Sequence, residues 1–276
     1  MCRWIAYRGE AIFLEDLLLK PSNSLIDQSL ECRQGVARTN GDGFGIGWYG
    51  ARQEPGLYRE VLPAWNDCNL RALAKQIKSP LFFAHVRAST GTGTARLNCH
   101  PFSCGKWLFM HNGKIGGYEL CRRQLENRLC DELFQYRQGS TDSELFFLLL
   151  LQNGLEENPP AALEQTICQI TKVAGACGSD ESFQLTVCLS NGKDLYACRH
   201  GSSAVPPTLY WCVTDGNVLV ASEPLDDVGG DTTTSWNEVQ ADEILTVTDR
   251  IYILPLFRGH EHAELQDQPD LAVKAS

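Results

Sequence analysis

The stretch SFQLTVCLSNGKDLYACRH, residues 182–200, sets two short runs of apolar, aromatic and β-branched residues on either side of an Asn-Gly pair. Because Asn-Gly readily adopts the positive φ angles of a tight turn, this stretch predicts a β-hairpin. Two more hairpins are predicted downstream, with turns at TDGN (214–217) and VTDR (247–250). The last third of the chain is therefore predicted to form antiparallel β-structure.

Short runs bounded by Gly or Pro predict further strands in the first half of the chain. They are RWIAYRG (3–9), GFGIGWYG (43–50), LYREVL (57–62), LFFAHVR (81–87) and KWLFMHNG (106–113). Helices are predicted at NLRALAKQI (69–77), GGYELCRRQLENRL (116–129), STDSELFFLLLLQNG (140–154) and PPAALEQTICQITKVAG (159–175). Strands, then helices, then hairpin-linked strands predict an α+β fold of antiparallel sheets covered by helices.

Composition is that of an ordinary globular protein, with 43% hydrophobic and 21% charged residues in a chain of 276. A chain of this length can bury a substantial core. No segment of the sequence has the composition of a linker between domains. A single domain over residues 1–257 is therefore expected, followed by a polar tail over 258–276.

Charge and cysteine content narrow the function class. A net charge of −10 disfavours nucleic acid as a partner, because nucleic-acid binders normally carry a basic stripe. The longest apolar run, 144–152, is too short to span a bilayer, and the start of the chain does not resemble a signal peptide, so a cytoplasmic protein is expected. The 12 cysteines contain no CxxC pair and are predicted to be reduced thiols rather than zinc ligands or disulfides.

Cys2 occupies a chemically special position, because removal of Met1 would leave it with a free α-amine beside its thiol. A nucleophile and its base would then belong to one residue. The alternative is that Cys2 simply begins a buried first strand, since cysteine is among the most buried residue types.

Polar stretches at the ends of predicted strands supply further candidates. The stretch 40–50 carries five glycines, which indicates either a tight turn or a backbone that approaches a substrate. In AHVRAST (84–90), Arg87 is costly to bury unless it meets an anion, and its planar fork suits a substrate carboxylate or an internal acidic partner.

Two more stretches could contribute polar groups to the same place. In MHNG (110–113), the Asn112 side chain and the Gly113 N–H could form an oxyanion hole, or the pair could be a hairpin turn. In GSTDSE (139–144), Asp142 could cap a helix or grip an ammonium group. Taken together, the groups suit a ligand with a carboxylate and an ammonium at one end and an amide at the other. Glutamine and γ-glutamyl compounds have this chemistry.

The ordered set of motifs resembles the class II glutamine amidotransferases, a family of N-terminal-nucleophile hydrolases. The motifs are MC at the start, GDGFGIGWY (41–49), AHVRAST (84–90), NCHPF (98–102), MHNG (110–113) and STDSE (140–144), and the likeness spans about residues 2 to 255. PAWND (63–67) and ASEPLD (221–226) add a likeness to stand-alone members. These include the glutathione-degrading amidotransferase-like subunit and the ergothioneine-pathway γ-glutamyl amidohydrolase.

The resemblance implies a four-layer αββα sandwich with two antiparallel sheets and a mechanism that needs no metal or organic cofactor. It implies that Cys2 is the nucleophile and that Asn112 and Gly113 form the oxyanion hole. It also implies that Arg87 binds the substrate carboxylate and that Asp142 binds the substrate ammonium group. His85 and His100 are expected to be structural or substrate-positioning residues. HVRAST differs from the HTRWATHG form of synthase-linked members, which predicts a differently shaped loop over the substrate.

Three functions are compatible with these features. The first is hydrolysis of the amide between a γ-glutamyl group and a small, thiol-containing molecule. The second is a glutaminase subunit that supplies ammonia to a separate synthase; the candidate protein partners are a separate synthase or a peptidase subunit. The third is a non-catalytic γ-glutamyl-binding protein. No membrane or nucleic-acid partner is expected.

Overall fold

Two antiparallel β-sheets lie face to face, and helices cover the outer side of each sheet. The structure, a computed structural model, describes residues 2–34, 38–89, 93–202, 205–226 and 234–257. The order of layers confirms the α+β prediction and the αββα sandwich that the resemblance implied. The tail predicted at 258–276 lies outside the described residues, so the domain boundary at residue 257 stays a prediction.

The first sheet has the strand order β11-β9-β10-β1-β4-β2-β3, and the second has the order β13-β12-β8-β7-β6-β5. The strands of the first sheet are β1 (Arg3–Phe13), β2 (Phe44–Trp48), β3 (Gly56–Glu60), β4 (Lys78–Val86), β9 (Tyr210–Thr214), β10 (Asn217–Ala221) and β11 (Asn237–Glu238). Those of the second are β5 (Phe102–Cys104), β6 (Trp107–Lys114), β7 (Gln184–Ser190), β8 (Leu195–Gly201), β12 (Glu243–Val247) and β13 (Ile251–Pro255).

The helices are α1 (Glu15–Leu18), α2 (Leu25–Leu30), α3 (Cys68–Gln76), α4 (Tyr118–Glu126), α5 (Asp131–Tyr136), α6 (Asp142–Gln152) and α7 (Pro159–Ala176). Two 3₁₀ turns occur at Ala64–Asn66 and Arg96–Asn98. The four predicted helices are confirmed as α3, α4, α6 and α7. The others were not predicted, because helices of 4 to 6 residues are too short to show helical periodicity.

All three predicted hairpins are present as the pairs β7–β8, β9–β10 and β12–β13. At the tightest of them, Asp215 and Gly216 have φ angles of 53° and 82°. Positive φ at both central residues is the type I′ geometry that follows the twist of the flanking strands. The Asp-Gly signal in the sequence therefore has a direct backbone cause.

The alternation of side chains along β1 explains how one strand serves two cores. Trp4 and Ala6 pack between the two sheets, whereas Ile5 and Tyr7 pack under the helices on the outer side. A residue that continues the even series toward the start of the chain therefore points into the space between the sheets. Cys2 is that residue.

The long apolar run at 144–152 belongs to α6, which packs against β6 within the core of the second sheet. Leu145 to Leu150 are all buried, so the run reflects a core helix. Across the described ranges, no helix is long and apolar enough to cross a membrane.

Candidate active site

Strand register brings Cys2, Arg87 and Asn112 to one end of the sandwich. β1 and β4 are antiparallel and pair Arg3 with Val86, so Cys2 and Arg87 lie beside each other one step beyond that pair. Asn112 continues the even series of β6, whose residues Leu108 and Met110 face the first sheet. The three side chains consequently approach one another from two different sheets.

A cavity of about 170 Å³ opens at this end of the sandwich. It is lined by Cys2, Arg87, Ala88, Ser89, His100, His111, Asn112, Gly113, Lys114, Thr141, Asp142, Ser143 and Gln184. All but one of the site residues predicted from the sequence lie in this lining. The exception is His85, which is buried behind it.

The contact between Cys2 and Asn112 assigns the two ends of the asparagine amide. The backbone nitrogen of Cys2 donates to Oδ1 of Asn112 at 3.1 Å, which fixes the oxygen on the cysteine side. Asn112 is only 2% exposed, yet its Nδ2 has no hydrogen-bond partner among the described residues. An unpaired buried donor costs about 1–3 kcal/mol, so its presence in the cavity lining needs a functional reason.

The thiol of Cys2 is held against a single residue. Its Sγ accepts from the Ala88 N–H at 3.4 Å and lies 3.6 Å from the Ala88 carbonyl oxygen. Burial raises the pKa of the thiol, while the Ala88 amide and the charges of Arg87 and Arg3 oppose that rise. A raised pKa leaves the thiol protonated at neutral pH, so attack on a carbonyl requires a nearby base. Met1 lies outside the described residues, and its removal stays a prediction.

Arg87 is 4% exposed and is held by the glycine-rich stretch 40–50. Its Nη1 donates to the carbonyl oxygen of Asp42 at 3.3 Å, its Nη2 donates to the Ser89 hydroxyl at 3.1 Å, and its backbone N–H donates to Gly43. Gly43 has a φ of 112°, and a Cβ there would lie 2.8 Å from the Glu60 carbonyl oxygen. Glycine at this position thus lets the backbone pack closely behind the arginine. Residues 40–50 are all described, and none of them lines the cavity.

Asp142 is the first residue of α6 but not its cap. The cap is Thr141, whose hydroxyl accepts from the Glu144 N–H at 3.1 Å. The alternative that Asp142 caps the helix is therefore wrong. Its Oδ2 accepts from the Ile115 N–H at 3.0 Å and its Oδ1 from the Ser143 N–H at 2.8 Å, which fixes the carboxylate against the end of β6.

Gly113 has a φ of 150°, and a Cβ placed on it would lie 2.0 Å from the Gln184 carbonyl oxygen on β7. No other residue fits this backbone, because the neighbouring strand occupies the side-chain position. The alternative that Asn112 and Gly113 form a hairpin turn is wrong, since both lie within β6 and pair with β7.

His85 and His100 stack on each other with ring centroids 4.3 Å apart. Burial lowers the pKa of His85 to about 3 and also lowers the pKa of His100 far below its usual range. Both rings are consequently neutral at pH 7. His100 lines the cavity and His85 lies behind it. His85 therefore acts on a substrate only indirectly, by holding the His100 ring in place.

Several lining residues had no role assigned from the sequence. His111 Nδ1 lies 2.8 Å from the Ser143 hydroxyl, which joins β6 to α6, and burial lowers the pKa of His111. Ala88, Ser89, His111 and Ser143 all fall inside the quoted motifs, which were a usable signal. Gln184 gave no local signal, because only its register opposite Lys114 brings it to the cavity.

Comparison with known proteins gives the same family from sequence and from structure. Residues 18–215 match the family of class-II glutamine amidotransferases. The chain is 34% identical to the probable glutamine amidotransferase DUG3 of Saccharomyces cerevisiae, over 92% of this chain and 84% of that protein. It is 29% identical to the gamma-glutamyl-hercynylcysteine sulfoxide hydrolase of Mycolicibacterium smegmatis, over 93% of this chain and 100% of that protein.

Solved structures agree with this assignment. A glutamine aminotransferase class-II domain protein from Silicibacter pomeroyi superposes with a TM-score of 0.73 and 38% identity, covering 92% of this chain and 99% of that one. The glutamine phosphoribosylpyrophosphate amidotransferase of B. subtilis shares the fold, with a TM-score of 0.64 and 15% identity, over 94% of this chain and 50% of that chain.

Proposed function

This chain belongs to the class II glutamine amidotransferases, and we propose that it hydrolyses γ-glutamyl amides through a Cys2 nucleophile. One observation carries the proposal. A single cavity holds a thiol, an arginine, a carboxylate and a buried unpaired amide donor, supplied by Cys2, Arg87, Asp142 and Asn112. This set matches the polar groups of a γ-glutamyl amide one for one.

The chemistry proceeds in two halves. After removal of Met1, the α-amine of Cys2 takes the thiol proton and the thiolate attacks the γ-carbonyl carbon. Asn112 Nδ2 and the Gly113 N–H hold the developing oxyanion. The C–N bond then breaks, the leaving amine takes the proton, and a γ-glutamyl thioester remains. Water attacks the thioester with the same amine as base, releasing glutamate and restoring the thiol.

The glutamyl head is recognised by charge. Arg87 presents its fork to the α-carboxylate and Asp142 accepts from the α-ammonium group. The cavity of about 170 Å³ is smaller than the roughly 300–1,000 Å³ of sites for drug-sized ligands. It suits an amino-acid-sized head, with the leaving group held at the mouth.

The leaving group is proposed to be a small thiol-derived amine. The name of one relative supports this choice, the gamma-glutamyl-hercynylcysteine sulfoxide hydrolase of Mycolicibacterium smegmatis. All 12 cysteines, every one of them within the described residues, are free, which fits a cytoplasmic location where thiols stay reduced.

A glutaminase that supplies ammonia to a separate synthase is the second candidate, favoured by the amidotransferase name of the yeast relative. An amine-release screen separates the two functions. Faster turnover of γ-glutamyl thiol peptides than of glutamine supports the hydrolase, and ammonia release from glutamine alone supports the glutaminase. Binding without turnover of any compound by protein that has lost Met1 would leave a non-catalytic binder.

Arg87→Lys is expected to raise KM much more than it lowers kcat. Lysine keeps the positive charge but loses the two-pronged geometry that fits a carboxylate. Steady-state kinetics on a γ-glutamyl amide measure the effect, with Arg59→Lys as a control at a half-buried arginine outside the cavity lining. Equal wild-type turnover of substrates with and without the α-carboxylate would assign Arg87 to an internal structural role.

Asp142→Asn is expected to lower kcat/KM by about 10- to 150-fold and also to lower the melting temperature, because both carboxylate oxygens accept a backbone N–H and the amide has only one oxygen. The neutral amide gives up a charge-assisted hydrogen bond to the ammonium group, worth roughly 1.5–3 kcal/mol. Kinetics on glutamine and other γ-glutamyl amides should show a uniform fall, because all share one amino-acid head.

The control for this variant is Asp131→Asn, which changes an exposed carboxylate in the first turn of α5. It reproduces the effect of losing charge near a helix start without touching the cavity. Wild-type kinetics of Asp142→Asn on every compound would remove the ammonium anchor from the proposal.

A further inference from the structure

A buried ion pair lies directly behind the nucleophile. Nε of Arg3 is 3.2 Å from Oε2 of Glu223, and each side chain is only 1% exposed. Burying two charges is costly, and removing one partner of such a pair leaves the other charge buried without compensation. Glu223 belongs to the stretch ASEPLD (221–226), which none of the roles described above uses.

Arg3 also reaches back to the nucleophile itself. Because β1 alternates, the Arg3 side chain leaves the strand on the face opposite to Cys2. Its Nη1 nevertheless donates to the Cys2 carbonyl oxygen at 2.9 Å. That carbonyl is bonded to the Cα that carries both the α-nitrogen and the thiol, so holding it restricts the rotation that aims both groups.

Glu223 is fixed in turn by a separate loop. Its carboxylate accepts the backbone N–H of Arg33 at 3.0 Å and that of Gln34 at 2.9 Å. The preceding residue, Ser222, accepts from the Trp4 N–H through its hydroxyl at 2.9 Å. The end of β10 thus holds the first residues of β1 at two consecutive positions.

We infer that Arg3, held by Glu223, is a positioning residue that aims the α-amine and thiol of Cys2 at the substrate carbonyl. The inference rests on the proposed function for its kinetic consequences, but its geometry does not depend on the substrate. A residue at the end of a chain is tethered by only one peptide bond. The hydrogen bond from Arg3 to the Cys2 carbonyl oxygen adds a restraint that keeps the reacting groups aligned with the substrate carbonyl.

Arg3→Lys is the primary test. Lysine can keep its charge against Glu223, but it cannot span both the carboxylate and the Cys2 carbonyl with one ammonium group. We expect kcat on the best γ-glutamyl amide to fall by about 10- to 100-fold, as misplacement of reacting groups does. KM should stay near the wild-type value, because Arg87 and Asp142 are untouched.

A second readout needs no substrate. The rate at which iodoacetamide alkylates Cys2, followed by peptide mass spectrometry across neutral pH, reports how the amine and thiol are coupled. The exposed thiols of Cys68 and Cys130 serve as internal references in the same sample. A changed pH profile at Cys2 alone supports the inference, even if no γ-glutamyl compound is turned over and the proposed function fails.

Glu223→Gln tests the other member of the pair, and Glu238→Gln is a control at an arginine–glutamate pair whose carboxylate is more exposed. Glu238 forms an ion pair at 2.6 Å with Arg199, whose side chain is buried. Both residues lie outside the cavity lining. Wild-type kcat and Cys2 reactivity in folded Arg3→Lys or Glu223→Gln would overturn the inference. So would losses that only match the fraction of protein unfolded in a thermal melt, because they would show a structural role alone.

Discussion

Cys2→Ala is expected to abolish amide hydrolysis and to leave the protein folded. The substitution removes the atom that is proposed to attack the carbonyl, whereas the hydrogen bonds of Sγ within the described part of the chain are two long ones, both with Ala88. Cys2→Ser should keep weak activity, since a hydroxyl is a poorer nucleophile than a thiol at neutral pH. Amine release, a thermal melt and intact mass together measure the outcome.

Intact mass matters because the base is proposed to be the α-amine of Cys2. Protein that retains Met1 carries an amide nitrogen at that position and should be inactive, whatever its fold. Cys68→Ala, which changes an exposed thiol on α3, is the control for loss of a cysteine elsewhere. Undiminished turnover in Cys2→Ala would move the nucleophile to one of the other eleven cysteines.

The sequence was informative wherever the cause of structure is local. The β1 strand and the Asp215-Gly216 turn follow from the properties of neighbouring residues, so both could be predicted. The same holds for α6 and α7, whose starts carry capping and proline signals. Helices as short as α1 have no such signal, because one turn contains too few residues to form a recognisable apolar face in the sequence.

The candidate site was predicted only as far as its motifs extend. Motif residues such as Arg87 could be proposed one at a time, but their convergence depends on the register of β1, β4 and β6. The Arg3–Glu223 pair joins residues that are 220 positions apart in the sequence, and no sequence pattern near either residue predicts the ion pair. His85 shows the opposite limit, since a residue inside a motif can lie behind the cavity rather than in it.

Asn112→Asp is expected to lower kcat by at least as much as Asn112→Ala, roughly 100- to 1,000-fold, the usual cost of losing one oxyanion donor. Aspartate keeps an oxygen facing the Cys2 nitrogen, which is the one side-chain hydrogen bond that Asn112 makes with the described residues. It replaces the unpaired Nδ2 donor by a second oxygen, which repels a developing oxyanion. If Asn112 served only to hold the Cys2 nitrogen, aspartate would preserve activity better than alanine.

Stability and activity should separate in Asn112→Ala, because the Nδ2 group has no bond to lose in the folded protein and alanine buries no charge at this 2% exposed position. Asn153→Ala is the matched control, since its Nδ2 donates to Thr166 at 2.9 Å and to Gln169 at 2.8 Å, away from the cavity. That variant should lower the melting temperature and leave kcat unchanged. The reverse pattern at Asn112 identifies a buried donor kept unpaired for the transition state, because only the reacting oxyanion supplies its acceptor. A melting-temperature loss at Asn112 equal to the control's, with kcat preserved, would make Asn112 a structural residue and leave Gly113 as the only oxyanion donor.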